Sequence, residues 1–206
     1  MIMVGSDKPS IIVFPGVYPP SEDTYLLLDA LDIRQEDVFL EVGCGAGLIT
    51  LTAARQTQNV VSVDSSFEAV HNTLENLKRF DLSNNCQIIE SDLLGALAPS
   101  TKFSMIVFNP PYLPQDDEHT TLDHALIGGQ TGTELTQRFV RQAAEHLLRE
   151  GRVFVVVSNL SNVDSIRETM IACGFMIDTV AEESLFFEKI QVLRGILKED
   201  HKETVL

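Results

Sequence analysis

A chain of 206 residues with 44% hydrophobic residues can build one α/β domain with a true core and little beyond it. Its formal net charge is −15, and none of its 15 Lys and Arg sit in a run longer than Lys78-Arg79, so a phosphate-neutralising duplex-binding face is disfavoured. No apolar run approaches the ~18 residues of a membrane span, and the start, Met1 to Lys8, lacks the basic and apolar regions of a secretion signal.

Taken in chain order, a turn-rich loop from Pro15 to Pro20 precedes a helix over Ser21 to Leu31, with Leu27, Leu28 and Leu31 on one face and Glu22 and Asp23 at its positive end. Val38 to Val42 reads as the first strand, and Gly47 to Ala54 opens the first crossover helix. Val60 to Asp64 is the second strand, and Ser65-Ser66 caps a helix running to about Phe80. Gln87 to Ile89 is a short third strand and Phe103 to Phe108 the fourth. Leu135 to Leu148 is predicted helical, with Phe139, Ala143, Leu147 and Leu148 on one stripe. Val153 to Val157 is a fully buried fifth strand, and Ile166 to Cys173 a helix stopped by Gly174. Phe175 to Ala181 and Phe186 to Leu193 complete the sheet as an antiparallel pair, and Lys198 to Leu206 reads as a polar, disordered tail. Alternating strands and helices predict one α/β domain over 1–206, with a mostly parallel sheet and crossover helices. Cys44, Cys86 and Cys173 are far apart and odd in number, with neither metal-type spacing nor a disulfide framework, so no metal is expected and a reducing cytoplasm is the expected compartment.

Glu41-Val42-Gly43-Cys44-Gly45-Ala46-Gly47 follows the first strand. Glycines between a strand and a helix let a ligand touch backbone atoms. The spacing is G-x-G-x-G rather than the dinucleotide pattern, and the acid before it would repel a pyrophosphate and favour an ammonium or sulfonium. Asp64 ends the second strand 23 residues after Glu41, the place where a carboxylate holds a ribose diol. Asp92, past the third strand, is placed to meet an adenine amino group. Three acids at strand carboxyl ends point to S-adenosylmethionine rather than NAD.

The fourth strand runs into Asn109-Pro110-Pro111-Tyr112. The prolines discard two N–H donors, and Pro110 pushes Asn109 into an extended conformation. The Asn109 side-chain oxygen and the Pro110 carbonyl are two acceptors that match a planar NH2 group, against which Tyr112 can lie flat. Fixed acceptors would stabilise the positive charge that grows on nitrogen during methyl transfer. His119, His124 and the run Asp116-Asp117-Glu118 read as solvated loop residues, and Phe103, Phe108, Phe139 and Phe154 as core.

Together these segments resemble the class I methyltransferases, and within them the HemK family of protein-glutamine methyltransferases, the eukaryotic and archaeal branch above all. The resemblance rests on "VYPPSEDTYLLLDAL" (17–31), "LEVGCGAGLIT" (40–50), "VSVD" (61–64), "SDLL" (91–94), "FNPPYLP" (108–114) and "IGGQTG" (127–132). It implies a Rossmann-like fold with a seven-stranded, mostly parallel sheet, an antiparallel last strand and helices on both faces, with residues 1–35 covering the cofactor site. It implies S-adenosylmethionine contacts at Thr24, Glu41, Gly43, Gly45, Asp64, Asp92, Leu93 and Asn109. Catalysis falls on Asn109, Pro110 and Tyr112, and these with Pro111 bind the substrate amide. The implied substrate is the glutamine of the GGQ motif of a class-1 translation release factor. The implied partner is a small zinc-binding activator subunit at the third-strand edge, Asn85 to Ile89. Gly128-Gly129-Gln130 matches the substrate motif by chance on this reading. An adenine N6-methyltransferase meets the same two acceptors but wants a basic strand-holding surface. A lysine methyltransferase needs a base for the ammonium proton, and a cofactor-binding scaffold leaves the intact Asn-Pro-Pro-Tyr unexplained.

Overall fold

The computed structural model describes residues 10–112 and 131–198. His119, His124, Asp116 to Glu118, Gly128-Gly129-Gln130, Met1 to Lys8 and most of the polar tail lie outside the described residues.

A helix, α1 (Glu22–Ala30), comes first, and then strands and helices alternate: β1 (Val38–Val42), α2 (Leu48–Ala54), β2 (Asn59–Asp64), α3 (Phe67–Arg79), β3 (Cys86–Glu90) and β4 (Phe103–Phe108). The second half holds α4 (Glu134–His146), β5 (Leu147–Ser158), α5 (Val163–Ala172), β6 (Phe175–Ser184) and β7 (Lys189–Leu197). The seven strands form one sheet in the order β3-β2-β1-β4-β5-β7-β6. All pairings are parallel except those of β7, which lies antiparallel between β5 and β6. The order reverses between β1 and β4. Crossover helices therefore leave on opposite faces there, and a crevice opens at the strand carboxyl ends.

The strand alternation sorts the core into two layers. Ile106 and Phe108 of β4 and Val153, Val155 and Val157 of β5 pack with Phe139 and Ala143 of α4 and Ile166 and Met170 of α5. Met105, Val107, Phe154 and Val156 face the other way, against Leu27 of α1, Ile49 and Leu51 of α2 and Leu77 of α3. Helices thus cover both faces, as expected of a parallel sheet.

Two elements depart from the sequence expectation. The helical stripe through Leu148 fails because α4 ends at His146, and Leu147 turns extended (ψ 145°) to pair with Phe103. Leu147 stays buried, but Leu148 is 44% exposed. The last strand begins at Lys189, not Phe186, and both final strands run longer than their apolar segments. Polar Glu182 and Glu183 of the edge strand pair with Gln191 and Ile190, a register that apolar periodicity does not signal.

At the amino ends of the strands a buried charge cluster locks β1, β4 and β5 together. Arg152 donates to both Asp37 carboxylate oxygens at 2.8 and 2.7 Å and pairs with Asp32 at 2.6 Å. Ser104 Oγ donates to Asp37 Oδ1 at 2.6 Å and accepts Val38 N–H at 3.0 Å. Burial pushes the Asp37 carboxyl up, but hydrogen bonds from Ser104, the Arg34 backbone and Arg152 outweigh it and hold the group below its usual range. Arg152→Ala removes the only cation this cluster sets against buried Asp37, leaving it, among the described residues, the Ser104 and Arg34 hydrogen bonds alone, so urea denaturation should show a loss of about 3–5 kcal/mol. Breaking the exposed Lys78–Glu75 pair with Lys78→Ala should cost less than about 1 kcal/mol.

Candidate active site

The crevice is a cavity of about 460 Å³ at the carboxyl ends of β1, β2 and β4. Thr24, Glu41, Gly43, Gly45, Asp64, Asp92, Leu93 and Asn109, all expected from the sequence as cofactor contacts, line it together. So do Pro110 and Pro111, whereas Tyr112 does not.

The floor is the glycine turn after β1. Gly43, Gly45 and Gly47 have φ of 70°, 50° and 83°, left-handed values that a side chain resists. A Cβ on Gly47 would also lie 2.8 Å from Thr73 Oγ1. The turn is pinned from α3: Thr73 Oγ1 donates to the Gly45 carbonyl at 3.0 Å and Asn76 Nδ2 to the Ala46 carbonyl at 2.8 Å.

Two acids stand in the floor. Glu41 is 3% exposed, and burial raises its carboxyl to about 8, against the lowering effect of a hydrogen bond from Thr50 Oγ1. Thr50 is itself bonded to Ser62 Oγ at 2.7 Å. Asp64 accepts Gly45 N–H at 3.0 Å and Ser66 N–H at 2.9 Å; burial still lifts its carboxyl above the ordinary range. Burial, then the nearby Asp64 and Glu41, hold the Cys44 thiol well up, so it stays protonated and poorly nucleophilic.

On one side wall, Asp92 is largely exposed and pairs with Arg138 of α4 at 2.7 Å. Leu93 is buried with φ 51°, a left-handed value costly for a non-glycine residue, and Gln142 Oε1 accepts the next N–H, that of Leu94, at 3.0 Å.

The opposite wall is built by α1 and the end of β4. Strand pairing stops at Phe108. Asn109 Nδ2 then donates to Thr24 Oγ1 at 3.4 Å. The Thr24 hydroxyl spends its single proton on Asp23 Oδ1, at 3.1 Å, and also accepts Ser21 N–H at 3.4 Å. It can therefore only accept from Asn109, which fixes which way the amide faces. Asn109 Oδ1 is left buried with no hydrogen-bond partner. Tyr112, 8% exposed, stands behind this wall rather than flat against the cavity, with its hydroxyl 3.4 Å from Asp23 Oδ2. Tyr18 donates to the same oxygen at 3.2 Å. Burial, then the charge of Asp23, raises both phenols, so both remain donors.

Sequence reasoning missed two parts of the site. Asp23 was read only as a charge at the start of α1, yet it is the 4%-exposed hub of that wall. Asn72 and Asn76 of α3 are fully buried and bind the segment before α1 as a neighbouring strand would. Ile12 N–H and carbonyl meet Asn76 at 2.8 and 2.7 Å, and Phe14 N–H meets Asn72 Oδ1 at 2.7 Å. Two asparagines four apart on the inward face of an amphipathic helix were the signal available.

A switch-point cavity with a glycine floor, acids at two strand ends and an orphan amide oxygen is the place where open α/β sheets bind their ligands. The family model described as "Methyltransferase small domain" matches residues 13–184, and the chain belongs to this family. A candidate protein N5-glutamine methyltransferase of Methanocaldococcus jannaschii is 35% identical over 187 residues, covering 88% of this chain and 92% of the relative. Mouse methyltransferase HEMK2 is 31% identical, covering 88% of this chain and 90% of its own. The E. cuniculi Mtq2 structure, solved in complex with Trm112, superposes with a TM-score of 0.67 at 24% identity over 89% of this chain and 99% of that one.

Asp23→Asn replaces one acceptor oxygen by a donor and takes the charge out of the hydrogen bonds from Thr24, Tyr18 and Tyr112. Chemical denaturation should show a loss of about 1–3 kcal/mol, with the fold retained by circular dichroism.

Proposed function

We propose that the chain uses S-adenosylmethionine to methylate the side-chain amide nitrogen of a glutamine in the GGQ motif of a class-1 translation release factor. The observation that carries this is Asn109 Oδ1, a buried acceptor left without a donor in the cavity wall. An unpaired buried acceptor costs about 1–3 kcal/mol, which an incoming N–H relieves. The archaeal relative's name, a protein N5-glutamine methyltransferase, and the mouse relative's, a methyltransferase, support methyl transfer to a glutamine amide.

The residues present fit the cofactor. Glu41 suits an ammonium, Asp64 can share its remaining lone pairs with a diol, Asp92 keeps one oxygen clear of Arg138, and Leu93 offers an apolar cover for an adenine ring. Bound there, S-adenosylmethionine supplies an electrophilic methyl group on a sulfonium. The chain's own residues hold the nucleophile. Asn109 Oδ1 takes one N–H of the glutamine NH2, and the Pro110 carbonyl, beyond the last paired residue of β4, is offered to the other. These acceptors exist before the substrate arrives, so the charge growing on nitrogen meets dipoles that need no reorganisation. Tyr112 backs the wall through Asp23 and keeps water from that side. An adenine amino group would suit the same acceptors, but a chain of net charge −15 is poorly made to hold a phosphate strand.

The remaining assignments rest on the same reading. Gly16, Val17, Tyr18 and Pro20, with Asp23 and Thr24 of α1, line the cavity, which supports one domain over 1–206 whose first 35 residues cover the cofactor. Among the described strands β3 pairs with β2 alone, and its open edge, Cys86–Glu90, suits strand addition by a small zinc-binding activator subunit. A translation-factor substrate and the free thiols Cys44, Cys86 and Cys173 support a cytoplasmic location; among the described residues no helix is long and apolar enough to cross a membrane.

Incubating the protein and its activator with methyl-labelled cofactor should label a release factor and leave its GGQ Gln→Ala variant unlabelled. Asn109→Ala should retain cofactor binding and lose two or more orders of magnitude in turnover. Thr24→Val, which frees the Asn109 amide to flip, should cost about tenfold or more, and Thr24→Ser should restore most of it.

Glu41 adds a test by pH. Its carboxyl, near 8 in the free protein, must ionise to pair with an ammonium, so cofactor binding at about pH 6.5 should release close to one proton. Calorimetry in buffers of different ionisation enthalpy should detect that proton, and Glu41→Gln should abolish it.

A further inference from the structure

The most exposed large apolar side chains among the described residues are Phe186, 91% exposed, and Phe187, 83% exposed. They are consecutive, stacked edge to face with ring centroids 4.5 Å apart, at the tip of the β6–β7 hairpin. A soluble chain that leaves two phenyl rings in water forgoes the burial that stabilises the rest of it, and such a feature marks an interaction site. They belong to no core layer and touch none of the cavity-lining residues' hydrogen bonds described above.

Their position is fixed relative to the site. The hairpin is closed by Leu185 N–H on the Glu188 carbonyl at 2.7 Å. Asn159, just past β5, brackets it: its Oδ1 accepts Lys189 N–H at 2.7 Å and its N–H meets the Lys189 carbonyl at 3.1 Å. Glu188, the residue after the pair, lies with its carboxylate against the Tyr112 hydroxyl. Ile190 pairs with Ser158, at the carboxyl end of β5, so the tip stands on the same rim of the sheet as Asn109-Pro110. Leu160, 44% exposed, follows Asn159 on that rim.

The charge around the pair narrows the occupant. The hairpin carries Asp178, Glu182, Glu183 and Glu188 against only Lys189 and Arg194. Lys189 is paired with Glu182 at 2.8 Å and Arg194 with Asp178 at 2.9 Å. Exposed aromatics can also stack nucleic-acid bases, but such platforms sit in positively charged grooves. A second copy of this acidic chain would bring like charge to like.

Resting on the proposed function, we infer that Phe186 and Phe187 are the docking anchor for the polypeptide that carries the methylated glutamine. Its complement is an apolar hollow flanked by lysine or arginine, presented close to the glutamine loop. The hairpin grips the body of the substrate while the amide enters past Pro110. Aromatic anchors of this kind carry a large share of interface affinity.

The test compares wild-type enzyme and the doubly substituted Phe186→Ser, Phe187→Ser enzyme, each with its activator, on an intact release factor and on a short peptide spanning its GGQ loop. Both changes are on exposed side chains, so the fold is expected to persist, with cofactor affinity and circular dichroism as controls. The expected result is a KM for the intact protein raised about tenfold or more, kcat unchanged within about twofold, and kcat/KM on the peptide unchanged within about twofold. Raised salt should weaken KM for the intact protein and not for the peptide. An unchanged KM for the intact protein overturns the inference, as does an equal loss on protein and peptide, which would make the hairpin a support of the site. A wild-type dimer that becomes monomeric on substitution assigns the pair to self-association instead, and label on an oligonucleotide that disappears on substitution assigns it to base stacking. Failure of the wild-type enzyme to label either release factor or peptide overturns the functional reading itself, and the docking assignment with it.

Discussion

Asp23 is the carboxylate on which the wall built by α1 and the end of β4 depends. It lies at the first turn of α1, where the helix dipole favours a negative charge. It spends that charge on three hydroxyls, those of Thr24, Tyr18 and Tyr112. Each of these belongs to a different part of the chain, so one buried group sets the distance between the N-terminal loop, the first helix and the end of β4. Among the described residues, its partners are hydroxyls and the Thr24 backbone N–H, through charge-assisted hydrogen bonds rather than a cation. That choice keeps positive charge out of a cavity whose ligand is read as a cation.

The rest of the site follows from how β4 ends. A strand at the switch point of a doubly wound sheet delivers its last residues to the crevice. Continuing the strand would have tied their carbonyls to β1 and β5. Two prolines stop the pairing at Phe108, and the polar groups beyond it are available to a ligand. The relay from Asp23 through Thr24 then decides which atom of Asn109 is left without a partner. Orientation of an amide cannot be enforced by shape, because its oxygen and nitrogen are nearly the same size. It is enforced here by counting donors: a hydroxyl that has already given its proton can only receive.

How much of this was legible in the sequence depends on the range of the interaction. The glycine turn, Glu41, Asp64 and the Asn-Pro-Pro segment were readable because each is a local pattern at a strand end, and the fold places strand ends together whatever the details. The Asn72 and Asn76 clamp was not readable, because its partners lie about 60 residues away and are backbone atoms that carry no sequence signal. Asp23 looked like an ordinary first-turn acid for the same reason: its three hydroxyl partners are identified only by the packing. Leu148 misled because helix and strand meet within one apolar run, Leu147-Leu148, and periodicity cannot say where the backbone changes direction. Phe186 and Phe187 were assigned to a strand because aromatic residues favour strands when their burial is assumed. Tyr112 kept its expected place in the chain, but its ring serves the wall from behind.

The two buried asparagines of α3 have a further consequence. They hold residues 12–14 through four neutral hydrogen bonds, and neither acids nor bases take part. Acidity and ionic strength act on ion pairs and on titrating carboxyls; this ladder contains none. The hold on the N-terminal loop, which goes on to line the cavity at Gly16 to Tyr18, therefore does not depend on the protonation of Glu41 and Asp64 in the cavity floor. At this stretch of the N-terminal loop the backbone is held by atoms that carry no charge, whereas Asp23 and Asp64 tie the rest of the cavity's outline to carboxylates.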